Sequence, residues 1–454
     1  MSNFKKLQQL VQDGKLKIFS ILSPGRTVST ILSKSISSHP QVDAECPQPF
    51  HLSHPFVPTN TSDREEKAYG LLLAAYNKAG HDDGRPVTVV VKEMTRNLVV
   101  PETIQRWDEL ASKHIITIRN PLLAIESIMR LYFNFIEEKP EGLEQFAKEF
   151  ASKHNYEPTE RYLKNFHNVY ANHLGYKDNS GLGQHWKALA EYARTHRDYT
   201  MLTELFEEFG PFYDLNSRLE AVKKEYPNGF ITSITGWESF SRLIPSLNDG
   251  NQRICIVDGS LLRASPEFTT SDICAHLELS KEDADIMLNW SKAPRKYETT
   301  HLETDYKAVL GRANGSTKLE PPTETPILPA KLPKQFYRHF NEVAMPEYLN
   351  ALADNRCIRP RGKEALATLL KKPVSKGMTL GDTDPVLAYS LISTDKTLLG
   401  ENKVEMLDSV RKKHGIMFFE VFDLIDRLNK GRLIGNHKKP YGHAAPTQGK
   451  YRSK

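Results

Sequence analysis

The sequence predicts an α/β protein in which a parallel β-sheet is flanked by helices. Three observations predict it. Ile18–Leu22, Val87–Val91 and His114–Ile118 are short runs of apolar and β-branched residues, the pattern of strands covered on both faces. Helix starts follow the first and third: Pro24-Gly25 ends one run ahead of a helical Ile31–Ile36, and Pro121 suits the first turn of a helix after the other. Hydroxyls and cations gather just beyond these runs, and open parallel sheets bind ligands beyond the carboxyl ends of their strands.

The first strand leads into Pro24-Gly25-Arg26-Thr27-Val28-Ser29-Thr30. First-turn N–H groups of a helix have no intrahelical partner, and the dipole there favours an anion. Hydroxyls add hydrogen bonds and Arg26 adds a charge-assisted pair. The stretch therefore reads as a phosphate cradle. An ordinary βα turn with a Ser/Thr N-cap is the plainer alternative. It is not a nucleoside-triphosphate P-loop, because no Lys precedes the hydroxyls and Val28 stands where a second Gly is expected.

At 454 residues, 39% hydrophobic and 26% charged, the chain is a globular protein with a large core, not a disordered one. A net charge of +5 suits an anionic ligand and does not demand nucleic acid. Cys46, Cys255, Cys274 and Cys357 form no C-x-x-C pair, so neither a metal site nor a disulfide framework is implied and a reducing, cytoplasmic setting is expected. The N-terminus lacks a signal-peptide apolar region, and no apolar run approaches the ~20 residues of a membrane helix. Phe4–Val11 reads as a short amphipathic packing helix.

Further along, Glu45–His51 is rich in proline and polar residues and reads as irregular chain lining the same cleft, with His51 a candidate base. A helix is predicted over 63–80, stopped by Gly80. Lys92, Glu93 and Arg96 end the second strand, and Arg119 ends the third. Ser127 stands two turns into the helix that begins at Pro121. Arg119 and Ser127 can share a phosphate across one cleft; a surface ion pair and a helix-surface serine are the bland alternatives.

Two of these motifs resemble those of sulfotransferases. Gly25-Arg26-Thr27-Val28-Ser29-Thr30 is similar to the family's 5′-phosphosulfate loop, Pro-Arg-(Ser/Thr)-x-(Ser/Thr)-Thr, with Gly25 where the proline usually stands and Pro24 one residue early. Arg119-Asn120-Pro121 with Ser127 eight residues after Arg119 resembles the 3′-phosphate motif. The order is right, and each lies on its own strand–helix unit.

The resemblance implies a P-loop NTPase-like sulfotransferase fold and 3′-phosphoadenylyl sulfate (PAPS) as donor. The acceptor would be a hydroxyl or amine, with a small molecule favoured and no metal required. By motif position Arg26 stabilises charge on the bridging oxygen. Gly25, Thr27, Val28, Ser29 and Thr30 form the loop for the 5′-phosphate, and Arg119 and Ser127 hold the 3′-phosphate. Glu93 is the first choice of base and His51 the second; Met94 stands where cytosolic members carry their histidine. Lys92 would assist as a second cation. Two rivals stand beside this reading. One is another P-loop nucleotide-dependent transferase or kinase. The other is a non-catalytic nucleotide-binding protein acting through its C-terminal helices.

The remainder completes the predicted organisation. Residues 1–358 form the α/β domain, with 132–225 a helical insertion containing His154, His167, His173, His185 and His196 at no metal-ligand spacing. Phe230–Ile234 and Ile254–Val257 read as strands. Asp258 after the latter reads as structural, and a helix covers Ile273–Leu277. Arg312–Lys318 stands where family members close a loop over the nucleotide. Glu320–Pro333 reads as a Pro-rich linker, and Lys334–Ala353 as the helix closing the core. Residues 359–435 read as a helical appendage that packs on the core or binds a protein partner, its long helix striped by Val404, Leu407, Val410, Ile416, Phe419, Phe422 and Ile425. From 436 the chain reads as a disordered basic tail.

Overall fold

The structure, a computed structural model, describes residues 1–52, 61–80, 84–98, 100–138, 191–200, 235–248, 250–290, 297–298, 318–375 and 377–435. The expected strand Phe230–Ile234, the loop residues 312–317, most of the insertion and the tail lie outside them.

Seven strands form one sheet: β1 (Leu16–Ser23), β2 (Ala44–Pro47), β3 (Val87–Met94), β4 (Lys113–Ile118), β5 (Ile254–Asp258), β6 (Tyr297–Glu298) and β7 (Cys357–Ile358). Their order is β6-β2-β3-β1-β4-β5-β7, and every neighbouring pair is parallel. Helices cover both faces. The period-2 alternation of a strand divides the sheet's side chains between them. Ile18, Leu22, Val89, Val91, Ile116 and Ile256 enter one apolar cluster. Phe19, Ile21, Val90, Ile115 and Val257 enter another, with Leu32 and Ile36 of the helix after β1. Burial on both sides is why the strands read as apolar runs.

The early helices are α1 (Asn3–Gln12), α2 (Ser29–Ser37), α3 (Pro49–Leu52), α4 (Thr61–Ala79), α5 (Pro101–Leu110) and α6 (Pro121–Glu138). Most stand where sequence places them. The segment expected to be irregular is instead β2 followed by α3: Ala44–Pro47 pairs with Val89–Lys92, and sheet pairing overrides the low strand preference of its prolines. Pro47 tolerates this at the strand's last position.

The C-terminal helices do not stand apart. Every residue of Pro385–Thr394 is buried, and Leu366, Leu369, Val386, Leu387, Leu391, Phe422 and Ile425 belong to the same cluster as the sheet residues Val89 and Ile116. The Gly400–Gly435 helix is broken at Phe418, with φ −121° and ψ 21°. That break rotates the apolar stripe: Phe418, Val421, Phe422 and Ile425 are buried, whereas Val404, Ile416 and Phe419 face solvent. Among the described residues no helix is long and apolar enough to cross a membrane.

Candidate functional site

The sheet order reverses at β1, which pairs with β3 on one side and β4 on the other. A crevice opens beyond the carboxyl ends of parallel strands at such a switch point, and the Pro24–Val28 loop lies there. Its backbone is strained. Arg26 and Val28 have φ of 63° and 69°, in the left-handed region that a β-branched residue avoids. The surroundings impose this shape. Gly25 N donates to Thr235 O at 2.6 Å. Thr27 Oγ1 donates to Pro24 O at 3.2 Å and pairs with Thr117 Oγ1 at 2.7 Å. Ser23 Oγ donates to Ser29 Oγ at 3.0 Å. Thr235 is anchored in turn by His339 Nε2 at 2.8 Å.

Two glycines admit this packing. A Cβ on Gly25 would stand 2.9 Å from Ile128 Cδ1, and one on Gly259 would stand 2.6 Å from Thr27 O. Backbone cannot yield as a flexible side chain does. Gly259→Ala is therefore expected to destabilise the protein by about 1–3 kcal/mol, read as a lower urea midpoint at unchanged m-value. An unchanged midpoint would show that the loop is free to shift.

The loop leaves an anion-seeking surface. No side chain caps α2, so its first-turn N–H groups face the crevice without that partner. Arg26 Nε donates to Ser127 Oγ at 2.9 Å, and Arg119 Nη1 approaches Arg26 O at 3.4 Å. Three residues taken from two separate sequence motifs thus meet. Arg119 is 5% exposed, and its buried Nε has no hydrogen-bond partner. Of the predicted loop residues, Thr27 is spent on holding the loop, Ser29 is buried and Thr30 is half-buried.

Lys92 and Glu93 part company because strand neighbours point to opposite faces. Lys92 shares the face of Val90 and α2. It is 5% exposed, and its pKa is lowered from 10.5 to about 8, by burial first and then by the charges of Arg96 and Arg26, against Glu93 and Glu45. Glu93 lies on the other face, fully buried. Its Oε2 accepts from Phe50 N at 2.9 Å, and its Oε1 from Met94 N at 2.8 Å and Asn97 Nδ2 at 2.6 Å. Burial raises its pKa against those three donors. Both oxygens of this first-choice base are engaged in tying α3 and the turn after β3 to the strand. His51 lies in α3, and its side chain is outside the described residues.

Asp258 is structural, as expected. Its Oδ1 caps the Gly259–Ala264 helix through Ser260 N at 2.8 Å and Leu261 N at 3.0 Å, and its Oδ2 accepts from Tyr348 Oη at 3.0 Å. Asn120, next to Arg119, caps α6 through Leu122 N at 3.1 Å and donates to Asp384 Oδ1 at 2.7 Å. Asp384 itself caps the buried Pro385–Thr394 helix. The C-terminal helices therefore brace the Arg119 strand end.

Sequence reasoning missed the other side of the crevice. The stretch read as a linker brings Glu324 onto Arg119 Nη2, with Arg263 Nη1 at 3.3 Å and Arg130 Nη2 at 3.9 Å. Burial pushes the Glu324 carboxyl up, but the charges of Arg119, Arg263 and Arg130 outweigh it and its pKa is lowered. Arg263 carried one readable signal, its place just after a core strand. Glu324 carried none. Among the described residues no group of three or more His, Cys, Asp and Glu side chains is placed to hold a metal ion.

No family model matches the chain, no curated protein matches it, and no solved structure matches it.

Proposed function

We propose that this crevice binds PAPS and that the protein transfers its sulfuryl group to a hydroxyl or amine of a small molecule. The observation that carries the reading is the meeting of Arg26, Ser127 and Arg119 around an uncapped helix start at the switch point. Two features fit a phosphate-bearing ligand: the first-turn N–H groups of α2, and the unpartnered Nε of buried Arg119. In this reading the N–H groups with Ser29 and Thr30 hold the 5′-phosphate, and Arg119 and Ser127 the 3′-phosphate.

The chemistry asks little beyond position and charge. The acceptor oxygen or nitrogen forms a bond to sulfur while the bond from sulfur to the bridging oxygen breaks. The electron pair stays on that oxygen and leaves with adenosine 3′,5′-bisphosphate. Arg26 and Lys92 supply positive charge where it accumulates. The acceptor's proton passes to a general base; both oxygens of Glu93 already accept hydrogen bonds, which leaves His51 as the other candidate named from the sequence.

Isothermal titration with adenosine 3′,5′-bisphosphate, beside ATP with and without Mg²⁺, tests the reading. Bisphosphate binding without Mg²⁺, weakened about thirtyfold in Arg119→Ala through loss of one charge-assisted pair, is the expected outcome. Binding of ATP alone, dependent on Mg²⁺, would move the protein to the kinase class. Nucleotide binding with no turnover of labelled donor against an acceptor screen would favour a non-catalytic binding protein.

A further inference from the structure

Three guanidinium groups surround one carboxylate at the edge of the crevice. Arg119 projects from the end of β4, Arg130 from α6 and Arg263 from the helix after β5, and all three face Glu324. The three cations sit on sheet and helix. Their anion sits on chain that is neither helix nor strand from 319 to 328. Buried Leu319 and Ile327 anchor the ends of that strap, and arginines hold its middle: Arg263 donates to Glu320 O and Pro321 O, each at 2.8 Å, and Arg197 donates to Thr325 O at 3.0 Å.

Three guanidiniums converge on one carboxylate, an arrangement that suits an anion with more oxygens and more charge, such as a phosphate monoester dianion. Arg119, at 6% side-chain exposure, cannot turn to water, whereas Glu324, at 36%, can. A cation so buried is costly unless an anion faces it. Glu324 meets that need when no ligand is bound, and a phosphate meets it better, with an unused N–H of Arg119 still available.

We propose that Glu324 is an internal competitor in a phosphate-monoester subsite formed by Arg119, Arg130 and Arg263, and that a phosphate enters by displacing it and the strap that carries it. The inference deepens the nucleotide reading and rests on it for the identity of the ligand, not for the chemistry of the subsite. The apparent affinity is reduced by the fraction of molecules in which the seat is occupied by Glu324. Removing the carboxylate does two things at once. It frees the seat for phosphate, and it takes from the buried Arg119 its ion-pair partner.

The test measures Kd for adenosine 3′,5′-bisphosphate and for phenyl phosphate in the wild type, Glu324→Gln and Glu324→Ala, with Glu320→Gln as the control on the same strap. Both Glu324 variants are expected to bind phosphate about tenfold more tightly, with a lower melting temperature in the absence of ligand that phosphate restores. Glu324→Asp, which keeps the charge one methylene shorter, is the variant to use if the others fail to fold, and it is expected to bind between the two limits. Unchanged or weaker binding of both ligands in the Glu324 variants overturns the inference, as does no binding at all. Tightened phenyl phosphate binding with no added affinity for the bisphosphate would uphold the competitor and end the nucleotide reading. Bisphosphate binding lost in Arg119→Ala but indifferent to Glu324 would do the reverse.

Discussion

Arg26→Ala is expected to lower the rate of sulfuryl release from labelled donor by about 10²–10³-fold, the cost of removing one preorganised donor from a developing oxyanion. The affinity for adenosine 3′,5′-bisphosphate should change far less, because the α2 N–H groups and Arg119 remain. The expectation rests on position. Arg26 is fixed by a strained loop, with Nε on Ser127, so its charge needs no reorganisation during the reaction. Arg26→Lys keeps the charge without the planar fork and should recover part of the rate. Equal losses in rate and bisphosphate affinity would make Arg26 a binding residue only. A rate unchanged by Arg26→Ala would remove it from the chemistry.

Lys92→Met is expected to stabilise the protein near neutral pH while weakening its hold on anions. Lys92 is buried, and its pKa falls from 10.5 to about 8. A folded pKa below the unfolded one means that the folded state binds fewer protons between those two values, so stability rises as pH rises through that window. Below pH 8 the whole cost of the buried charge is present. At about 1.4 kcal/mol for each pH unit, that cost is on the order of 3 kcal/mol. Methionine has nearly the same length and no charge. The variant should melt higher than the wild type near pH 7 and lose the rise in stability between pH 8 and 10.5. A melting temperature at or below that of the wild type would show that the ammonium is already well compensated. Greater stability with anion affinity intact would separate Lys92 from the site.

The two sets of expectations, for fold and for site, fared differently for identifiable reasons. β1, β3, β4 and β5 were legible because helices cover both faces of a parallel sheet, so each strand is apolar along its length. β2 was not, because its strand character comes from pairing with β3 while its composition points to loop. Pro385–Thr394 escaped notice for a related reason. It is buried all round, so no 3.6-residue stripe distinguishes it. The stripe seen over 404–425 was real in spacing but interrupted at Phe418, a backbone break that side-chain identities do not announce.

Within the site, local spacing carried far. Arg26 and Ser127 lie 101 residues apart, yet each occupies a fixed place on its own strand–helix unit, and the sheet brings the units together. Glu324 and Arg119 lie 205 residues apart with no shared motif, and only the course of an irregular segment joins them. Lys92 and Glu93 show the sharpest division. The sequence places two ionisable groups at a strand end, and the alternation of a strand requires that they part. Which of them lies on the side of α2 depends on the face that this helix covers. Hydrophobic pattern, breaker residues and the chemistry of side chains act over a few residues and settled the elements, the loop and its cations. Burial, face and long-range pairing arise only when distant segments close on one another, and they engaged both oxygens of Glu93, buried Lys92 and brought Glu324 onto the arginines.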